Sequence, residues 1–271
     1  MITKQVQTLT GKIRLQIPTE LTEITLGSMI AMESATGNEI PLIPDLTAEV
    51  CDNIVNVSDL IDIRERILSL AHKIKYQYQE TKLPEKLLGV KVPQNLSIEP
   101  AGAYLVCRDL IAEEINRHIT EFGEDEWEQH FQPSLNTCAL ILANYFYCRV
   151  TGELWNEQKA EEFRSEVLKL SVAESLPVAR FFFSELQQFI QTENVALGSV
   201  QTEIEKRAGI KAFEKFGYIN AVDALAGGDP LRWEAVLNLS YEVFFMKQLL
   251  RKTQFEYQEK YHELYLKQHS S

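Results

Sequence analysis

Two segments of the chain alternate apolar and polar residues up to a proline, and each then continues into a helix start. They are "KIRLQIPTELTEITLG" at 12–27 and "LGVKVPQNLSIEPAG" at 88–102. A two-residue period is typical of a half-buried strand. Proline cannot donate to a sheet ladder, so it ends the strand. The pattern therefore predicts two strand–turn–helix units, with Thr25 capping the first helix and Pro100 in the first turn of the second.

The two segments align without a gap, which places Pro18 on Pro93 and Gly27 on Gly102. A duplicated or repeated module explains this match better than chance does. We expect the two units to form one small sheet within an α+β module. Between them the apolar spacing predicts a short helix near 47–55 and a longer one at 58–79, and Gly37 is the expected end of the first helix.

Helical signals dominate the rest of the chain. The acidic stretch "FGEDEWEQHFQP", with its glycine and final proline, predicts a linker. A helix is then expected to end at Gly152, another to begin near Asn156, and a third to follow the capping-box pair Ser171 and Glu174. Pro177 either kinks that third helix or moves its start.

The segment "AGGDPLRW" combines terminating glycines, a capping aspartate and a proline, and it predicts the start of a long final helix from Leu231 to about Lys267. The predicted fold class is α+β, mostly α. The predicted division is an α+β module with the duplicated strand–Pro–helix unit at 1–122, an acidic linker at 123–133 and an all-α domain at 134–271.

Charge and composition exclude several classes of function. The chain has 271 residues, with 27 Lys and Arg against 39 Asp and Glu, and its net charge of -12 opposes binding to nucleic acid or anionic lipid. Its longest apolar stretch, Cys138 to Cys148, is shorter than the roughly 20 residues of a membrane helix. The N-terminus lacks the apolar region of a signal peptide. Four cysteines without CxxC spacing predict reduced, buried thiols in a cytosolic setting.

Motifs for catalysis are missing from the sequence. It contains no GxxxxGK[ST], GxGxxG or GxSxG pattern. We therefore expect no catalytic residue, no cofactor and no metal, and a protein that is not an enzyme. The alternative is a metal-dependent or small-molecule enzyme with a site between the two halves, near His118, Glu126 and His130. Glu126 and His130 are four residues apart and would need a third ligand.

Aromatic residues are the more informative feature. Three consecutive phenylalanines span too wide an arc for one buried stripe, so at least one ring should contact a second helix, in the core of the fold or on a partner. Near the C-terminus an aromatic stripe continues beyond the expected core, and tyrosine suits docking because it buries a large area and keeps a polar tip. Whether that last helix packs on its own chain or on another stays open. The predicted protein-interaction residues are Phe181, Phe182, Phe183, Trp233, Phe255, Tyr257, Tyr261, Leu264 and Tyr265.

Three stretches resemble virion morphogenesis proteins of tailed bacteriophages. They are "KIRLQIPTELTEITLGSMIAM", "GELWNEQKAEEFRSEVLKLSVAESLPVARFFFSEL" and "FEKFGYINAVDALAGGDPLRWEAVLNLSYEVFFMKQLL". The resemblance implies no cofactor and no catalytic residue. It does not separate a tail assembly chaperone from a neck, ring or tail component retained in the particle.

These observations predict a non-catalytic protein-binding component of phage virion morphogenesis, either a structural protein of the tail or neck, in the head–tail connector region, or a tail assembly chaperone. The expected partners are other phage virion or tail proteins and further copies of the chain, without membrane or direct nucleic-acid binding. The expected location is the bacterial host cytoplasm during assembly, and retention in the virion is open. A helical regulatory module of the host is a third alternative.

Overall fold

The computed structural model describes residues 2–8, 11–17, 24–34, 83–124, 133–198 and 207–269. In these ranges the protein is mostly helical with small antiparallel hairpins, which confirms the predicted α+β, mostly α class. The elements are β1 (Ile2–Thr8), β2 (Gly11–Ile17), α1 (Leu26–Ser34), β3 (Lys86–Leu87), β4 (Val90–Lys91), α2 (Ala101–Phe122), α3 (Leu135–Thr151), α4 (Glu157–Val167), α5 (Val172–Leu197), α6 (Ile219–Ala226), α7 (Trp233–Leu237) and α8 (Tyr241–His269). Short 3-10 turns cover Leu96–Ile98, Ile210–Phe216 and Pro230–Arg232.

Each strand of the repeated unit pairs with the strand directly before it. Strand β2 is antiparallel to β1, and β4 is antiparallel to β3. The prediction of one sheet shared by the two units is therefore wrong, and the sequence patterns do not predict β1. The turn between β3 and β4 consists of Leu88 and Gly89, which both have positive φ, as a tight hairpin turn of type I′ requires. Closing so short a loop costs far less chain entropy than bringing together strands distant in sequence.

Local capping signals set several helix ends where the sequence predicts them. Thr25 Oγ1 accepts the Ser28 N–H at 3.1 Å at the start of α1. Ser134 caps α3 by accepting the Thr137 N–H at 3.1 Å, and α3 ends at Gly152, which is left-handed with φ 74°. Helix α5 begins at Val172 and contains Pro177, so the proline does not move its start. The predicted helices at 47–55 and 58–79, the stop at Gly37 and most of the predicted linker lie outside the described residues.

The long final helix predicted from Leu231 is interrupted between α7 and α8. Asp229 accepts the Leu231 N–H at 3.0 Å, as its capping role predicts, but the capped element is a 3-10 turn. Beyond α7, the Leu239 carbonyl accepts the Ala101 N–H at 2.7 Å and the Tyr241 N–H donates to the Glu99 carbonyl at 2.9 Å. These bonds pair the backbone groups at the break with residues at the start of α2. The same groups therefore do not make the hydrogen bonds of a continuous helix.

The described chain divides into two compact units that both draw on each side of the predicted linker. Unit 1 takes its described residues from 1–92, 132–152 and 158–183, and unit 2 takes them from 93–131, 153–157 and 184–271. The predicted division, with one module ending at residue 122 and a helical domain beginning at residue 134, is different from this one. Short-range sequence patterns cannot reveal it, because each unit is assembled from three separate stretches of the chain.

Unit 1 has a helical core to which α1 is fastened by its backbone. The Leu26 N–H donates to the Leu170 carbonyl at 2.8 Å, and the Gly27 N–H donates to the Leu168 carbonyl at 2.9 Å. The Val172 N–H, at the start of α5, returns a bond to the Ile24 carbonyl at 2.8 Å. The first turn of α1 is thus anchored to the segment that joins α4 to α5.

Unit 2 forms around the first turns of α2. Gly102 lies there without room for a side chain, since a Cβ on this residue would come within 2.2 Å of the Trp155 ring. Trp155 itself is only 2% exposed. The start of α8 joins the same core through Tyr241 and Phe244, which are both buried.

Candidate functional site

Two of the three consecutive phenylalanines belong to the core of unit 1. Phe182 is fully buried, with its ring centroid 5.7 Å from that of Phe146 and 5.3 Å from that of Tyr145. Phe183 is buried as well, and Phe181 is half-buried. Phe182 and Phe183 therefore follow the core-packing alternative, and we withdraw them from the predicted interaction surface.

Trp233 makes a contact within its own unit. Its ring Nε1–H donates to Asp223 Oδ1 at 3.1 Å, and this bond links α7 to α6. The ring is half-buried. The bond gives Trp233 a structural role that does not depend on a partner.

The C-terminal part of α8 carries the last five residues of the predicted interaction surface. Every residue from Thr253 to His269 is exposed. Six large side chains in this stretch are between 48% and 68% exposed. They are Phe255, Tyr257, Tyr261, Leu264, Tyr265 and Leu266. We call 253–269 the docking segment.

The apolar residues of the docking segment lie on two faces of the helix and not on one stripe. At about 100° per residue, Tyr257, Tyr261 and Leu264 fall within roughly 60° of one another. Phe255 and Leu266 lie about 150° and 170° away from the centre of that group. The single stripe predicted from the sequence is therefore corrected to two separate apolar faces.

Interactions one turn apart support the docking segment from within. The ring centroids of Tyr257 and Tyr261 are 6.2 Å apart, and those of Tyr261 and Tyr265 are 6.4 Å apart. Lys267 donates to the Glu263 carboxylate, and this hydrogen bond lowers the pKa of Glu263. Such pairs stabilise a helix that gains little from tertiary packing.

Two Glu–Lys pairs on α8, Glu256/Lys260 and Glu263/Lys267, have the four-residue spacing that predicts an ion pair. The structure contains the second of them. Glu256 has a different partner from the predicted one, because it lies 3.7 Å from Lys252 on the preceding turn. Lys252 Nζ also donates to the carbonyls of Ala196 and Gly198, at 3.0 and 3.2 Å. A lysine suits these two carbonyls because the C-terminus of a helix, here α5, carries partial negative charge.

An aromatic cluster in unit 2 holds the first turn of α8. The Tyr241 ring lies 4.3 Å from Tyr104 of α2 and 4.5 Å from Phe189 of α5, measured between centroids. One turn further along those two helices, Arg108 Nη1 lies 3.5 Å from Glu193 Oε2. The cluster fixes α8 at one end while its docking segment extends away from these contacts.

Burial determines the protonation of this cluster. The Tyr104 hydroxyl and Glu193 Oε1 are shielded from solvent and make no hydrogen bond of normal geometry with the described residues. Burial raises the pKa of Tyr104, and the charge of Glu193 raises it further. Burial also raises the pKa of Glu193, although Tyr104 and Arg108 oppose that change. Both shifts favour the neutral forms, as expected for a packed structural cluster.

This cluster is not evident from the sequence. Its only sequence signal is a matched spacing, because Tyr104 and Arg108 are four residues apart on one helix and Phe189 and Glu193 are four apart on another. That spacing places each pair on one helix face. It does not say which two faces meet.

Neither metal binding nor membrane insertion gains support from the described residues. His118 is buried, with Nδ1 2.8 Å from the Glu114 carbonyl oxygen, while Glu126 and His130 lie outside the described ranges. No group of three or more His, Cys, Asp or Glu side chains within those ranges could hold a metal ion. In the same ranges, every helix is too short or too polar to span a bilayer. The three described cysteines, Cys107, Cys138 and Cys148, form no disulfide with any other described residue.

Comparisons with known proteins find no relative. No protein-family model matches the chain, and neither a curated protein nor a solved structure is significantly similar to it. The resemblance to phage morphogenesis proteins therefore stays a prediction.

Proposed function

We propose that this chain is a non-catalytic, protein-binding component of bacteriophage virion morphogenesis, and that it docks through the C-terminal segment of α8. The observation that carries the protein-binding role is the exposure of six large apolar side chains between Phe255 and Leu266. The phage setting, as a tail or neck component or a tail assembly chaperone, is supported by the sequence resemblance alone.

The composition of the docking segment supports protein binding. Single exposed apolar residues are ordinary, but several grouped on one helix face, as Tyr257, Tyr261 and Leu264 are, usually mark a contact site. Three of the six side chains are tyrosines, a residue type that is enriched at interfaces and at their energetic centres. Tyr257, Tyr261 and Tyr265 succeed one another at each helical turn.

The anchoring of α8 also supports docking. Tyr241 and Phe244 are buried at the start of the helix, and Lys252 is bonded to the end of α5 just before the exposed segment begins. A helix fixed at one end loses less conformational freedom on binding than a free peptide would. Less of the binding free energy is then spent on ordering.

Co-purification tests the proposal. The full chain, tagged and co-expressed with the products of neighbouring morphogenesis genes, should capture at least one of them. Replacing Tyr257, Tyr261 and Tyr265 together by serine should abolish the capture. The matched control is Leu231→Ser, because Leu231 is 91% exposed yet lies outside the docking segment. Capture that is absent from the unaltered chain, or unaffected by the triple replacement, would contradict the proposal.

The inventory of purified virions separates the two forms of the proposal. A structural component of the tail or neck remains in the particle at a fixed copy number. A tail assembly chaperone is present during assembly and absent from the finished virion. Quantitative mass spectrometry of purified particles and of infected-cell extracts makes the distinction.

A further inference from the structure

One face of α8 carries an apolar line that runs along most of the helix. We call it the outer seam, and its six members are between 43% and 68% exposed. They are Val243, Met246, Leu250, Tyr257, Tyr261 and Leu264. At about 100° per residue, all six fall within an arc of roughly 60°. The buried residues Tyr241 and Phe244 lie on the opposite side of the helix.

The spacing along the outer seam is the same from either end. Successive members are separated by three, four, seven, four and three residues. Steps of three, four and seven residues return to nearly the same face of a helix, as in a coiled-coil seam, although the step of four on each side of the seven-residue step departs from strict heptad alternation. Because the series is symmetric, an antiparallel copy of the helix presents its apolar residues at matching heights. A surface that is complementary to itself is what a two-fold interface requires.

We propose that the partner of the outer seam is a second copy of this chain, paired antiparallel along α8. This inference rests on the proposed function, and it names one partner of the docking helix. In the pair, Val243 faces Leu264 of the second copy, Met246 faces its Tyr261 and Leu250 faces its Tyr257. The midpoint falls between Thr253 and Gln254.

Side-chain size favours the antiparallel arrangement over the parallel one. The first half of the seam is aliphatic or thioether, and the second half contains the two tyrosines. Antiparallel pairing sets each tyrosine ring against a slimmer side chain, Met246 or Leu250, so that large and small residues interdigitate. Parallel pairing would place each ring directly against its own copy.

Charge is compatible with the same arrangement. The chain has a net charge of -12, but α8 carries five Lys and Arg against four Glu, so repulsion between two copies is not concentrated on this helix. Glu242 and Lys267 lie on the same flank of the seam, about 20° apart around the axis. Antiparallel pairing brings Glu242 of each copy to within two residues, about 3 Å along the axis, of Lys267 of the other, at both ends of the contact.

The middle of the seam limits its strength. Thr253 and Gln254 interrupt the apolar line, and polar residues in such a seam fix the register at a cost in stability. Six side chains per copy also form a contact at the small end of specific interfaces. We expect a reversible dimer with a dissociation constant of roughly micromolar order.

Sedimentation equilibrium of the full chain tests the pairing over about 1–100 μM, a range that brackets this constant. The unaltered chain should pass from monomer to dimer. Leu250→Glu and Tyr257→Glu should each weaken the dimer about 10-fold or more, because each places a charge in the seam. Phe255→Glu is the matched control, since Phe255 is equally exposed on the other face of the same helix. Circular dichroism checks that each variant keeps its helix content.

Cysteine cross-linking tests the orientation. Val243→Cys and Leu264→Cys are about 32 Å apart along one helix. Mixed together, the two variants should form a disulfide dimer under mild oxidation, whereas neither variant alone should. The unaltered chain, with its native cysteines, measures the background.

Three outcomes would overturn the inference. The chain could stay monomeric throughout the concentration range, or the seam variants could dimerise as well as the Phe255→Glu control. The third is that Val243→Cys cross-links with itself. A monomer that still captures a morphogenesis protein through its tyrosines leaves the proposed function standing. A monomer that captures nothing removes both.

Discussion

The side-chain amide of Asn238 is bonded to the backbone of Trp155 at both of its polar atoms. Asn238 Oδ1 accepts the Trp155 N–H at 2.7 Å, and Nδ2 donates to the Trp155 carbonyl at 3.2 Å. Trp155 is buried, so these backbone groups would otherwise have to be satisfied away from solvent. Asn238 lies at the break between α7 and α8. The two hydrogen bonds to Trp155 therefore fix the position at which α8 begins.

Asn238→Ala should lower the free energy of unfolding by about 1–3 kcal/mol, because it leaves two buried backbone groups without these partners. Urea unfolding followed by circular dichroism measures the change. Gln258→Ala, at an exposed position on α8, serves as the control and should stay within about 0.5 kcal/mol of the unaltered chain. An Asn238→Ala variant as stable as this control would show that the amide does not hold the break.

Gly102→Ala should destabilise unit 2 by about 1–3 kcal/mol, because the added Cβ would overlap the Trp155 ring. Helix propensity alone predicts the opposite sign, a gain of roughly 1 kcal/mol. The sign of the change in thermal unfolding therefore decides between the two effects. Glu113→Ala, on the exposed face of the same helix, is the control. A stabilised Gly102→Ala variant would contradict the close packing of Gly102 on Trp155.

The pH dependence of stability should reveal Glu193. Burial raises its pKa in the folded chain. Between the ordinary glutamate pKa and this raised value, the folded chain holds a proton that the unfolded chain has released. Stability is therefore lost as pH rises through that window. Glu193→Gln stays neutral and should lack this contribution.

Chemical unfolding at a series of pH values from about 4 to 7 tests the Glu193 prediction. The difference in unfolding free energy, unaltered chain minus Glu193→Gln, should fall as pH rises. Two parallel curves would show that Glu193 has the same proton affinity in the folded and unfolded chains.

Phe182→Ala should cost about 3–5 kcal/mol of stability, because Phe182 is fully buried against Tyr145 and Phe146. Phe181→Ala should cost clearly less, since Phe181 is half-buried. Thermal unfolding compares the two variants. If Phe182→Ala were nearly neutral and partner capture were lost, Phe182 would return to the interaction surface.

The features that follow from the sequence are those set within one helical turn. Ser134 and Gly152 bound α3, and Asp229 caps the turn that begins at Pro230. Glu263 and Lys267 pair along α8. In each case the donor and acceptor are four residues apart or fewer, so the chain brings them together whatever the rest of the fold does.

Features fixed by distant residues could not be derived in this way. The apolar spacing from Trp233 onward continues through 238–240, yet the helix stops there because Asn238 binds Trp155 and Leu239 binds Ala101. These partners lie far away in the sequence. The strand partners of the repeated unit were missed for a different reason, because a short turn such as Leu88–Gly89 outcompetes a long-range pairing.

The docking segment is partly predictable from the sequence. Its aromatic residues are visible in the sequence, and the helical repeat alone separates Phe255 from Tyr257 and Tyr261. Which face is exposed in the first turns of α8 depends on the burial of Tyr241 and Phe244, and therefore on tertiary contacts.

The Asn238–Trp155 contact also supplies a built-in optical probe. The chain has three tryptophans, and two of them, Trp155 and Trp233, lie at or next to the junction where α8 begins. The indole of Trp155 is screened from water, so opening of this junction should shift its fluorescence emission to longer wavelength. Intrinsic fluorescence can thus report opening of the junction at the start of α8 without any added label.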